Sequence, residues 1–84
     1  MYFFDLLSQY NRFRLGTLPA SSFASWLFRV SDDMADTLTA DEWDLFTDLE
    51  NYAAEFTGEH IPESRFREVV DARMAKMPRT QTAA

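Results

Sequence analysis

LTADEWDLFTDLENYAAEF, running from Leu38 to Phe56, reads as one amphipathic helix preceded by its own start signal. Thr39 is a natural N-cap and Glu42 follows three residues later, which is the pattern of a capping box. Leu38 precedes the cap and Trp43 takes the fourth helical position, the spacing at which two apolar side chains staple the first turn. From Ala40 to Thr57 the residues Trp43, Phe46, Leu49, Tyr52, Ala53 and Phe56 recur at intervals of mostly three and are read as the inward face, with Gly58 as the stop.

Two other stretches repeat this device: LPASSF (Leu18 to Phe23) and IPESRF (Ile61 to Phe66). Both keep an aliphatic residue five positions before an aromatic, while Pro19 and Pro62 replace the capping hydroxyl. Proline is tolerated at a helix start because its missing N–H had no partner there anyway. The sequences after the three staples do not match, so the triplet marks where helices begin rather than an internal duplication. Four helices are expected: Tyr2 to Arg14, Pro19 to Asp36, Ala40 to Thr57 and Pro62 to Met77. Phe3, Leu6, Leu7, Tyr10 and Phe13 form the apolar face of the first, and Gly16 ends it. Phe23, Trp26, Leu27, Val30 and Met34 form that of the second. Phe66, Val69, Val70, Met74 and Met77 form that of the fourth. Links of two to five residues favour antiparallel neighbours. The expected fold is therefore all-α, a small antiparallel four-helix bundle over residues 1–77, with 78–84 as a flexible tail.

Composition agrees with one small domain. The chain has 84 residues and is 46% hydrophobic, with eight Phe, three Tyr and two Trp, too aromatic for a disordered chain. Two Gly and three Pro leave little material for the turns of an all-β fold. Without Cys, neither disulfides nor a thiolate metal site can form. MYFFDLL has no basic region and an early Asp5, which makes a poor signal peptide, and no apolar run approaches the roughly 20 residues of a membrane span. The expectation is a cytoplasmic chain.

Charge is distributed unevenly. The net charge is −6, which disfavours direct nucleic-acid binding through a general basic surface. Between Ser31 and Ser64 lie eleven acids and no Lys or Arg, while the remainder carries all eight basic residues and three acids. Asp41, Asp44, Asp48, Asn51 and Glu55 recur at heptad-like spacing on the third helix, opposite the aromatic residues. Glu59 and Glu63 extend the negative surface into the next connection. Asp32, Asp33 and Asp36 end the second helix, where the macrodipole disfavours anions. One reading of the acids is a solvated face that keeps the chain soluble. The other is a docking surface for a basic partner, favoured by the missing Lys and Arg, since a merely solvated helix mixes signs.

Other residues admit two readings each. Phe4 and Phe28 fall off the core stripes; either a neighbouring helix covers them or they anchor an interface. Arg73 lies within the apolar stripe of the fourth helix, where its stem packs and its head reaches solvent or an acid. His60 stands alone beside Glu59 and Glu63, a weak basis for a metal site. With no Cys, no second His and no Gly-rich phosphate loop, neither catalysis nor a cofactor is expected.

The order of features in QYNRFRLGTLPASSF, LTADEWDLFTDLENYAAEF and IPESRFREVVDARM resembles the colicin D-type bacteriocin immunity proteins. A first helix ends in Tyr or Phe and is followed by a Gly. An aliphatic residue precedes a cap, an aromatic follows four positions later, and an acidic third helix leads to a short fourth. The resemblance spans roughly Phe3 to Met74. Pro19 stands where the family tends to place a hydroxyl cap, and the acidic connection before the fourth helix is short. The resemblance implies a cytosolic helical protein that covers the cationic active site of a cognate nuclease toxin with carboxylates, here Asp44, Asp48, Glu55, Glu59 and Glu63.

The expected function is a non-enzymatic, immunity-type inhibitor whose partner-binding residues are Asp41, Asp44, Asp48, Glu55, Glu59 and Glu63. Two alternatives remain open: a phage-encoded inhibitor of a host nucleic-acid machine, as an anti-CRISPR or DNA mimic, and a homo-oligomeric interaction module that buries Phe4 or Phe28. The chain could serve as a monomer or a homodimer.

Overall fold

The computed structural model describes the backbone of residues 2–34 and 38–76 and the side chains of residues 4–30 and 38–76. These residues form four helices: α1 (Tyr2–Arg14), α2 (Ala20–Met34), α3 (Ala40–Thr57) and α4 (Glu63–Ala75). The fold is an all-α helical bundle, with no strand among the described residues. Asp36, Met77 and the tail at 78–84 lie outside the described residues, as do the side chains of Phe3, Asp32, Asp33 and Met34.

The three repeated stretches do one structural job. The amide of Phe23 donates to the Pro19 carbonyl at 3.0 Å, that of Trp43 to Thr39 at 2.9 Å, and that of Phe66 to Pro62 at 3.0 Å. Each aromatic therefore closes the first helical turn on the residue after the aliphatic one. The prolines sit just outside the helices rather than inside their first turn. Thr39 forms the full capping box: the Glu42 amide donates to Thr39 Oγ1 at 3.2 Å, and the Thr39 amide donates to Glu42 Oε1 at 3.0 Å. Pro62 offers no side-chain cap.

Each helix gives at least one aromatic ring to a single core. Phe13 of α1 stacks on Phe23 of α2 at 4.6 Å between ring centroids, and Phe66 of α4 lies 5.6 Å from Phe13. Phe56 of α3 stacks on Phe66 at 4.7 Å, and Trp26 meets Phe46 across α2 and α3 at 6.5 Å. Phe13, Phe23 and Phe66 are fully buried, and complete burial of one such ring contributes roughly 1.5–3 kcal/mol. Leu18, Leu38 and Ile61 pack at the margin of this core, so all three staple aliphatics face inward.

Trp43 corrects the sequence reading. It is 45% exposed, whereas Leu45 is buried. At about 100° per residue, Trp43 points roughly 120° away from Leu49, the middle of the buried stripe, and Leu45 only about 40° away. The Trp43 amide closes the first turn on Thr39, but the indole does not enter the core. Val69 is likewise partly exposed and outside the core cluster, while Ala20 and Ala24 of α2 are buried in it.

α1 and α3 end alike. After α1, the Gly16 amide donates to the Phe13 carbonyl and the Thr17 amide to Arg12, with Gly16 left-handed at φ 85°. After α3, the Glu59 amide donates to Phe56 and the His60 amide to Glu55, with Glu59 left-handed at φ 63°. Both are Schellman endings. In the second, Gly58 keeps an ordinary φ of −83° and Glu59 takes the conformation that glycine usually supplies. Gly58 is needed for closeness instead, because a Cβ there would meet the Ala54 carbonyl oxygen and the His60 ring at 3.1 Å each.

Candidate acidic interface

α4 lies against both α1 and α3, and polar side chains make the fastening. On the α1 side, Tyr10 Oη donates to Asp71 Oδ1 at 2.6 Å, and Arg67 Nη1 donates to the Phe13 carbonyl at 2.7 Å. The Arg67 guanidinium also sits 4.3 Å over the Phe13 ring, a cation–π contact at the negative end of the α1 dipole. On the α3 side, Arg73 Nε donates to Asp48 Oδ2 at 2.6 Å. The head of Arg73 thus reaches a nearby acid, as its place in the apolar stripe suggested. Burial together with the hydrogen bond to Asp71 pushes the Tyr10 hydroxyl up from 10.0 to about 12.

This fastening decides what is left of the acidic surface. Helical geometry puts Asp41, Asp44, Asp48 and Glu55 along one flank of α3, roughly 80–140° from the buried centre. Asp48, in the middle of the strip, is neutralised by Arg73. Glu63, at the start of α4, pairs with Arg67 Nε at 2.9 Å. Among the described residues, Asp41, Asp44, Glu55 and Glu59 form no ion pair, and all four are exposed. Of the six residues singled out from the sequence, four therefore present uncompensated charge. Arg65 of α4 is paired with Glu68 on its own helix.

Two features near this surface were not legible in the sequence. Trp43 stands exposed, but helical arithmetic with Leu49 as centre puts it on the opposite flank of α3 from Asp41, Asp44, Asp48 and Glu55. The contact of Arg67 with α1 had no local signal, because its partner carbonyl lies 54 residues away, whereas its pairing with Glu63 spans a single helical turn. Phe4 is 66% exposed and Phe28 38% exposed. His60 is exposed, and among the described residues no cluster of three or more His, Cys, Asp or Glu could hold a metal ion. No described helix is long and apolar enough to cross a membrane.

No protein-family model matches the chain, and neither a curated protein nor a solved structure matches it.

Proposed function

We propose that the chain is a non-enzymatic binding protein of the immunity type, which occludes the basic active site of a nuclease toxin in the cytoplasm. The observation that supports this reading is the flank of α3. Asp41, Asp44 and Glu55 are exposed there without a cationic partner among the described residues, and Glu59 continues the charge beyond the helix end. Carboxylates at such spacing imitate substrate phosphates toward Lys and Arg, steer a basic partner and exclude its substrate. Asp48 and Glu63 enter the same surface as members of ion pairs, so they contribute less net potential than their number suggests.

Affinity capture from the native host, with mass spectrometry of the bound fraction, tests the partner class. The expected catch is a basic nuclease whose association slows steeply with added salt. The triple variant D41K/D44K/E55K, which leaves the Asp48–Arg73 pair intact, is expected to slow association at least about tenfold. Capture of an acidic partner, or equal association rates for the triple variant, rules the proposal out.

A further inference from the structure

We draw no further inference here: the strongest candidate, the surface patch around the exposed Trp43 on the flank of α3 turned away from the acidic strip, carries nothing because nothing in the structure shows what covers it.

Discussion

Glu59 holds a conformation that L-residues avoid, at the junction where α3 turns toward α4. Gly16 meets the same geometric demand after α1 without a Cβ to strain. Exchanging the residue types should therefore have opposite effects at the two junctions. Glu59→Gly is expected to stabilise the fold by about 1 kcal/mol, and Gly16→Ala to destabilise it by about 1 kcal/mol. Urea unfolding at constant m-value reports both. If Glu59 is also part of the partner surface, the stabilised variant should associate more slowly, so that strain and function are read in one substitution. Trp43 gives a second contrast at this scale. Its removal by Trp43→Ala should cost less than about 1 kcal/mol, whereas Phe23→Ala, at the centre of the ring cluster, should cost about 3–5 kcal/mol. A large loss at Trp43 would show that its indole is shielded.

Among the elements, α4 is the one most dependent on side chains distant in sequence. It buries Phe66, Val70 and Met74, and adds to them the Tyr10–Asp71, Arg67–Phe13 and Arg73–Asp48 contacts. Tyr10→Phe keeps the ring and deletes the hydrogen bond, with an expected loss of about 1 kcal/mol at neutral pH. The pH dependence follows from the raised Tyr10 value. Between pH 10 and 12 the folded state keeps a proton that the unfolded state releases, so this contribution is complete below pH 10 and fades as pH rises toward 12. Urea midpoints across that window should fall less steeply in Tyr10→Phe than in the parent chain.

The legibility of these elements in the sequence had a physical limit. Helix starts were readable because caps and staples are local, spanning five or six residues, and the three stretches all mark true starts. The facing of α3 was only partly readable. The staple drew Trp43 inward on paper, although its helical angle belongs with the solvent side. The contacts that seat α4 join residues 25, 54 and 61 positions apart, and no local period encodes them.

For the whole molecule, the uneven charge along the chain does not translate directly into an uneven surface. The acid-rich middle supplies a flank of α3, and Arg73 from outside that middle returns to its centre. Composition could give the sum of charges, and helical spacing could align Asp41, Asp44, Asp48 and Glu55. Neither could reveal which carboxylate is already occupied. The consequence is measurable: Asp44→Lys should alter binding while changing the unfolding free energy by no more than about 0.5 kcal/mol, because the side chain is exposed, unpaired among the described residues and beyond the first turn of α3. Asp48→Asn should instead lower stability by about 1 kcal/mol, since it strips a partly buried guanidinium of its charged partner.

Asp48 thus answers to Arg73 before any partner arrives. A visiting lysine or arginine that competes for Oδ2 weakens the hold on Arg73, and that weakening loosens the far end of the last helix. By reciprocity, whatever frays that helix makes the carboxylate more available to a visitor. Amide exchange in the final turn of α4 is therefore a built-in gauge of whether a guest has engaged the middle of the strip or only its outer aspartates.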